Sequence, residues 1–293
     1  MSTPNAPDCQ GPDPHPHAAR FKPPPGACDS HAHVIGPPER YPFVATRSFT
    51  PPPAPEAAYL AMHDALGIER GVLVQVSVHG TDNSYMVETL RRHPKRLRGV
   101  AVVGAEVTDK TLADLHAAGV RGLRINTETG GGTGPAAMER LAERVKPMDW
   151  HIQLLINPKV LADNDALLRR LAVPFVIDHF GYALAAAGVA GPGFQTVLRL
   201  LKETDCWVKI SGAMRISKQP CPYRDSIPLA RALIAARPDR LVWGTDWPHV
   251  HLGGPMMNDG DLLDLLGEWA PDEATRKRIL VDNPARLYGF PHS

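Results

Sequence analysis

The 293-residue chain has few cysteines, no long apolar run and almost no net charge, and each shortage excludes a class of protein. Its four cysteines lack CxxC spacing, which argues against a zinc–thiolate site and favours reduced thiols in a cytoplasmic protein. No apolar stretch reaches the ~18 residues of a membrane helix, and residues 1–20 lack the apolar core of a secretory signal. The formal net charge of +1 gives no reason to expect binding to nucleic acid or to an anionic membrane.

Eight short runs rich in valine, isoleucine and leucine alternate with helical patterns along most of the chain. The predicted strands are residues 28–34, 71–78, 97–104, 122–127, 152–157, 174–179, 207–211 and 241–245. Parallel strands buried on both faces have this composition. Eight of them separated by helices predict an α/β protein with a single (β/α)8 TIM-type barrel. An open doubly wound sheet is the alternative, but the glycine-rich dinucleotide turn that normally follows its first strand is missing.

The domain organisation predicted from these patterns is a barrel over residues 26–293 preceded by a proline-rich arm, residues 1–25, in an extended or partly disordered state. The clearest predicted helices are residues 82–92, 109–118, 136–144, 160–171, 193–203 and 226–237. Residues 272–288 are predicted to close the chain as a helix pair broken at Pro284. A monomer or a small homo-oligomer is expected.

Two histidines, His31 and His33, lie at the end of the first predicted strand. Strand side chains alternate, so Asp29 and both histidines are expected on one face. Imidazoles at the end of a barrel strand can hold a metal ion or donate hydrogen bonds to a substrate carbonyl, and a purely structural pair is the alternative. A second HxH, at His15 and His17, lies in the arm without a strand and is interpreted as incidental.

Asp246 follows the last predicted strand, and His179 ends the sixth. In a closed barrel the first and last strands are neighbours, so these residues and the two histidines are expected at one rim, where barrel active sites lie. A carboxylate there can orient and deprotonate a water molecule. The alternatives are a capping aspartate and a histidine of the core.

Further candidate substrate contacts come from two arginines, a serine and a glycine run. Arg124 lies in an apolar strand and needs an anionic partner, either a protein carboxylate or the substrate. Ser77 and Arg215 are additional candidates, although a loop arginine such as Arg215 is usually solvated. Residues 130–134 are mostly glycine and are interpreted as a flexible loop, or else as a backbone anion site.

These motifs together resemble the amidohydrolase superfamily, and within it the lactonase branch. The stretches that carry the resemblance are PPPGACDSHAH (23–33), VQVSVHGTDN (74–83), VIDH (176–179) and WGTDWPH (243–249), and the likeness extends from about residue 23 to 288. The resemblance implies that Asp246 is the general base and that His31, His33 and His179 polarise a lactone carbonyl. It also implies substrate contacts at Ser77 and Arg124. Arg215, Phe49 and His249 are further expected substrate-binding residues.

The chain lacks three polar substrate contacts that the resemblance would imply. It has Gly130 near the position of an arginine, Phe49 at the position of a tyrosine and Leu155 near that of a second tyrosine. Metal use is left open by the resemblance. Asn126 or Arg124 stands where binuclear members have a bridging side chain, and Asn157 stands where mononuclear members have a histidine. Either no cofactor is required, or a single Zn²⁺ is held by His31, His33, His179 and Asp246.

The function that the resemblance implies is hydrolysis of a small carboxylated lactone by base-activated water, in the breakdown of aromatic compounds. The expected substrate is an anionic lactone similar to 2-pyrone-4,6-dicarboxylate or to a muconolactone, including a sulfonated one. The alternatives are a zinc-dependent aromatic-acid decarboxylase, a sugar-acid lactonase or a lactone isomerase on the same barrel, and a binding barrel without catalysis.

Overall fold

Eight parallel strands follow one another around a single sheet in a computed structural model, which describes residues 6–291. The strands are β1 (Cys28–Ala32), β2 (Arg70–Val74), β3 (Leu97–Ala101), β4 (Val120–Asn126), β5 (His151–Leu155), β6 (Phe175–Ile177), β7 (Cys206–Ser211) and β8 (Leu241–Gly244). The sheet closes between its first and last strands, where the N–H of His33 donates to Trp247 O and the N–H of Asp246 donates to His31 O, both at 2.7 Å. The predicted TIM-type barrel is confirmed, and the closing bonds lie within the two motifs that carry the candidate site.

Helices connect the strands and cover the outside of the barrel. They are α1 (Glu56–Leu66), α2 (Ser84–Arg92), α3 (Asp109–Ala117), α4 (Met138–Val145), α5 (Pro158–Asp163), α6 (Asp165–Arg169), α7 (Pro192–Glu203), α8 (Ala213–Ile216), α9 (Ile227–Ala236), α10 (Asp259–Trp269), α11 (Glu273–Lys277) and α12 (Asn283–Tyr288). The strands are almost wholly buried, as expected when side chains fill the barrel on one face and contact helices on the other. Within residues 6–291, no helix has the length and apolar character needed to cross a bilayer.

Several predicted elements have different limits in the structure. The second strand ends at Val74, so Ser77 lies in a 3-10 turn, Ser77–His79, rather than on the strand. The helix predicted over residues 160–171 is two short helices, because the backbone of Asn164 (φ −104°, ψ 9°) is not helical. Helices α1 and α10 were not predicted.

The chain end near Pro284 also differs from the prediction. The helical path is not broken there, because a π-helical turn, Arg278–Asp282, widens the helix immediately before α12. Pro284 then occupies the first turn of α12, where its missing N–H costs no intrahelical hydrogen bond.

Asp29 does not share a face with the two histidines, contrary to the alternation expected along β1. The register between β1 and β2 shifts between Asp29 and Ala32, so the strand is irregular at this point. Asp29 therefore points outward, where its carboxylate accepts from Thr245 Oγ1 (2.6 Å) and lies 3.3 Å from His63 Nε2 of α1. This buried contact ties β1 to both the last strand and the first helix.

Candidate active site

Three histidines surround one carboxylate oxygen at the carboxyl end of the barrel. The Nε2 atoms of His31 and His33 each lie 3.7 Å from Asp246 Oδ1, and His179 Nε2 lies 3.6 Å from it. All four residues are buried. The structure therefore brings together the four residues predicted from the sequence, although their catalytic roles stay a prediction.

The backbone at this rim adopts a conformation that most residues avoid. Asp246 has φ 67° and His179 has φ 48°, both in the left-handed region, and Tyr182 and His251 nearby also have positive φ. Such residues cost about 1–3 kcal/mol each and concentrate where a site requires them. Their cluster around Asp246 supports a functional rather than a purely structural rim.

The histidines and Asp246 form a donor set that fits one metal ion. The His33 Nδ1 atom lies 2.8 Å from Val74 O, which can only accept, so Nδ1 carries the proton and the Nε2 lone pair faces the site. His31 Nε2 and Asp246 Oδ1 are buried and have no hydrogen-bond partner among the described residues. Separations of 3.6–3.7 Å exceed a hydrogen bond but approach the roughly 3.4 Å between two ligands of one tetrahedral zinc ion. His31, His33 and Asp246 would hold such an ion, with His179 beside them.

Arg215 holds the other oxygen of Asp246. Its Nε atom donates to Asp246 Oδ2 at 2.6 Å, and its NH2 group donates to Val250 O. Burial alone would raise the pKa of Asp246, but the positive charge of Arg215 opposes this effect, and the pKa lies well below its usual value. Arg215 lies on α8 and is ion-paired with Asp246 instead of solvated in a loop, and its contact with substrate stays a prediction.

A buried charged network supports His31 from the interior of the barrel. Lys209 of β7 is fully buried, and its Nζ donates at 2.8 Å to both Ser30 O and Gln153 Oε1. The Nδ1 atom of His31 lies 3.3 Å from both Lys209 Nζ and Asp178 Oδ1. Burial lowers the pKa of Lys209 to about 8, although Asp178 opposes the shift. This network fixes the ring of His31 below the pocket.

Burial also keeps the histidines uncharged at neutral pH. It lowers the pKa of His179 to about 4 and that of His31 well below 6.5, and the pKa of His33 shifts in the same direction. His179 Nδ1 lies 2.9 Å from Ser211 Oγ, which orients the ring. An ionised Asp246 surrounded by neutral imidazoles is therefore the charge state that the site favours.

Arg124 lies on the pocket wall, and its N–H groups are only weakly engaged by the protein. Its contacts are long, at 3.4 Å from NH2 to Asp178 Oδ2 and 3.5 Å from NH1 to Gln75 O, and its Nε has no partner among the described residues. A guanidinium with five N–H donors can take a further anion in this position.

A pocket opens above Asp246. It is lined by His33, Phe49, Val76, Ser77, Arg124, Thr129, Leu155, His179, Tyr182, Arg215, Asp246, Val250 and His251. Every residue predicted at the site lines this pocket except two, His31 and His249. His31 lies beneath Asp246, whereas His249 is held away from the pocket.

His249 contacts the start of α10 instead of the pocket. Its Nε2 lies 3.0 Å from the carboxylate of Asp259, which is itself fully buried. A buried aspartate at a helix start needs such a partner, so the predicted substrate contact at His249 is not supported. His251, two residues further along, lines the pocket in its place.

The first two glycines of the run after β4 lie close to the backbone of neighbouring loops. A Cβ atom at Gly130 would lie 1.8 Å from Thr46 O, and one at Gly131 would lie 2.3 Å from Ser77 O. The Gly130 N–H donates to Ser48 Oγ, so it is not directed at an anion. The arginine that the lactonase branch would have near Gly130 does not fit this backbone.

Some residues of the site were missed in the sequence. Lys209 stands alone as a charge between Val208 and Ile210 of an apolar strand, and this was a usable signal of a buried ionic partner. Asp178 directly precedes His179, and Tyr182 follows in the same segment. The pocket role of His251 had no local signal, because it depends on the turn that follows Asp246.

The fold and the site define the class of protein, a TIM-barrel enzyme with histidines and a late aspartate at the carboxyl ends of its strands. The amidohydrolase family model matches residues 28–290, and the chain belongs to this family. Two 4-sulfomuconolactone hydrolases are similar over 97% of this chain: one from Hydrogenophaga intermedia at 40% identity, covering 95% of that protein, and one from Rhizobium radiobacter at 42%, covering 96%.

More distant relatives also act on lactones, according to their names. A 2-pyrone-4,6-dicarboxylate hydrolase of Comamonas testosteroni is 35% identical over 94% of this chain and 93% of its own. A D-galactarolactone isomerase of Agrobacterium fabrum is 31% identical over 90% and 91%.

Solved structures share the same barrel. One from Agrobacterium tumefaciens has a TM-score of 0.85 at 30% identity and covers 94% of this chain and 100% of its own. Another, from Acinetobacter baumannii with citric acid bound, has a TM-score of 0.81 at 29% identity and covers 90% and 100%.

Proposed function

We propose that this protein hydrolyses a small anionic lactone of the muconolactone type, in the breakdown of aromatic compounds. The observation that carries the proposal is the Oδ1 of Asp246, which belongs to a buried, ionised carboxylate and has no hydrogen-bond partner among the described residues. The pocket above it contains Arg124, whose hydrogen bonds to the protein are long. The relatives named as hydrolases of 4-sulfomuconolactone and of 2-pyrone-4,6-dicarboxylate support a lactone substrate. The decarboxylase alternative has no comparable support among these names, and the isomerase is the less similar relative.

Asp246 serves as the general base in this proposal. Arg215 engages Oδ2, so a water molecule in the pocket meets Oδ1 and gives its proton to that oxygen as it attacks the lactone carbonyl. The ring C–O bond then breaks, and the leaving ring oxygen takes the proton that Asp246 Oδ1 has received from the water, which restores the ionised base. Arg215 holds Asp246 by Oδ2 and favours its ionised form before the water is deprotonated.

The substrate is held by its anionic group in this proposal. Arg124 supplies free N–H donors on one side of the pocket, and Ser77 lies beside it in the turn after β2. Phe49 and Leu155 give other parts of the wall an apolar character, which suits the carbon face of a small ring. Where a zinc ion is bound by His31, His33 and Asp246, it supplies Lewis-acid polarisation of the carbonyl.

All four cysteines are unpaired, and Cys28 and Cys206 are buried. This supports the further proposal of a reducing, cytoplasmic setting.

A panel of lactones tests the proposed function. Purified protein is assayed by loss of the lactone and appearance of the ring-opened acid with 4-sulfomuconolactone, a carboxylated muconolactone, 2-pyrone-4,6-dicarboxylate and a sugar-acid lactone. Hydrolysis of a muconolactone with the highest kcat/KM supports the proposal. Conversion of the sugar-acid lactone to an isomer, with no hydrolysis of the others, contradicts it.

A further inference from the structure

The N-terminal arm, of which residues 6–25 are described, lies against two loops of the pocket wall. One loop follows β1 and carries Phe49, and the other follows β8 and carries His251. The two rings meet edge to face with centroids 5.2 Å apart. Neither residue belongs to a helix or strand, so the shape of this wall depends on what holds the loops.

Residues 6–9 of the arm hold the first loop at Thr50, the neighbour of Phe49. The Thr50 N–H donates to Pro7 O at 2.8 Å, and the Cys9 N–H donates to Thr50 O at 2.9 Å. The Thr50 hydroxyl adds a bond of 3.0 Å to Ala6 O. Three bonds thus fix both backbone groups and the side chain of one loop residue.

The same part of the arm contacts the second loop. The His251 N–H donates to Cys9 Sγ at 3.3 Å, and Gln10 Nε2 donates to Gly254 O at 3.3 Å. Cys9 therefore joins the two loops, with its backbone on Thr50 and its sulfur on His251.

The remainder of the arm is fastened to α10. Asn258 Nδ2 donates to Asp13 Oδ2 and to His15 O, both at 2.9 Å, and the Arg20 N–H donates to Asp264 Oδ1 at 2.6 Å. Prolines at 7, 12, 14 and 16 favour an extended chain, so the arm loses less conformational entropy on docking than a flexible segment of equal length.

We propose that residues 6–10 are a clamp that holds Phe49 against His251 and so sets the width of the substrate pocket on this side. The clamp selects which ring substituent enters, and it acts by positioning, since none of the described arm residues, 6–25, lines the pocket. The selection part rests on the proposed function. Asp246 is held by β1 and Arg215 rather than by the arm, so the clamp is expected to affect KM more than kcat.

The test uses the full-length chain with two arm variants and one control. Cys9→Ala removes the sulfur that accepts from His251, and Cys9→Pro also removes the N–H that donates to Thr50. Lys22→Ala, at an exposed arm position, is the matched control. Hydrogen exchange followed by mass spectrometry reports on the His251 and Thr50 amides, melting temperature reports on folding, and kcat and KM are measured for each lactone of the panel.

The clamp predicts that exchange of the segment containing His251 rises roughly threefold to tenfold in Cys9→Ala, and that exchange of both loops rises in Cys9→Pro. Lys22→Ala behaves as wild type. KM rises in Cys9→Pro with a smaller change in kcat, and by different factors for lactones with different substituents.

Unchanged exchange of both loops in Cys9→Pro overturns the clamp. If hydrogen exchange of the loops rises in Cys9→Pro while KM is unchanged for every lactone, the role of the clamp in substrate selection is overturned. If the wild type hydrolyses no lactone, the proposed function fails, and the exchange comparison alone then decides for or against the clamp.

Discussion

Arg215 Nε lies 2.6 Å from Asp246 Oδ2, and this contact gives the two oxygens of one carboxylate different environments. Oδ2 is occupied by the guanidinium, whereas Oδ1 faces three imidazole nitrogens and has no hydrogen-bond partner among the described residues. The side chain is thereby oriented by one oxygen and available for chemistry through the other. Its ionised form is favoured by the same arginine.

The first prediction concerns this pair. Arg215→Met removes the positive charge that opposes the effect of burial, so the pKa of Asp246 rises. A general base works only when deprotonated, so the acid limb of the pH profile of kcat/KM moves to higher pH. Arg215→Lys keeps the charge and is expected to shift the limb less. An acid limb at one pH in all three proteins would argue against Asp246 as the titrating base.

Arg124 is predicted to bind the anionic group of the substrate. A charge-assisted hydrogen bond contributes about 1.5–3 kcal/mol, so Arg124→Met is expected to raise KM by roughly 10- to 150-fold. A neutral lactone without the anionic group is the control substrate, and its KM should change little. Equal effects on both lactones would show that Arg124 acts only through Asp178.

His151 is predicted to make the fold sensitive to acid. Burial lowers its pKa to about 3, and neither ring nitrogen has a hydrogen-bond partner among the described residues. Below about pH 6.5 this histidine is protonated in the unfolded chain but stays neutral in the folded chain. The free energy of unfolding therefore decreases as pH falls, by roughly 1.4 kcal/mol per pH unit. Denaturant unfolding of the wild type and His151→Phe between pH 7 and 4 measures this. The variant should lose less stability over that range, and parallel losses would refute the assignment.

The donor set around Asp246 predicts uptake of one zinc ion per chain. Metal-free protein is titrated with Zn²⁺ and the bound metal is measured after dialysis. His33→Asn should lose most of the binding, because it removes the Nε2 lone pair that Val74 O directs into the site. His249→Asn is the control, since His249 contacts Asp259 instead. No uptake by the wild type, or equal uptake by both variants, would count against a metal site.

The barrel and its rim could be predicted because both depend on local signals. Apolar runs mark parallel strands wherever they occur, and the carboxyl ends of those strands meet at one rim in any closed barrel. The placement of His31, His33, His179 and Asp246 at one rim follows from these two facts, whereas their expected catalytic roles were implied by the family resemblance.

Other features depend on contacts that local sequence does not encode. The register shift in β1 accompanies the contacts of Asp29 with Thr245 and His63, and strict alternation cannot anticipate it. From the sequence, His249 and His251 are equally plausible as pocket residues. The contact of His249 with the buried carboxylate of Asp259 decides that His249 is the one held away from the pocket. The packing of Gly130 against Thr46 likewise requires knowledge of the facing loop.

The most direct test of the central claim compares the wild type with Asp246→Asn. Hydrolysis of an anionic muconolactone is followed for both proteins, and binding of the same lactone to the variant is titrated calorimetrically. Asp246 as general base predicts that kcat falls by about 10²- to 10⁴-fold, while the variant stays folded and its Kd remains close to the KM of the wild type. Turnover by Asp246→Asn at the wild-type rate would contradict the account.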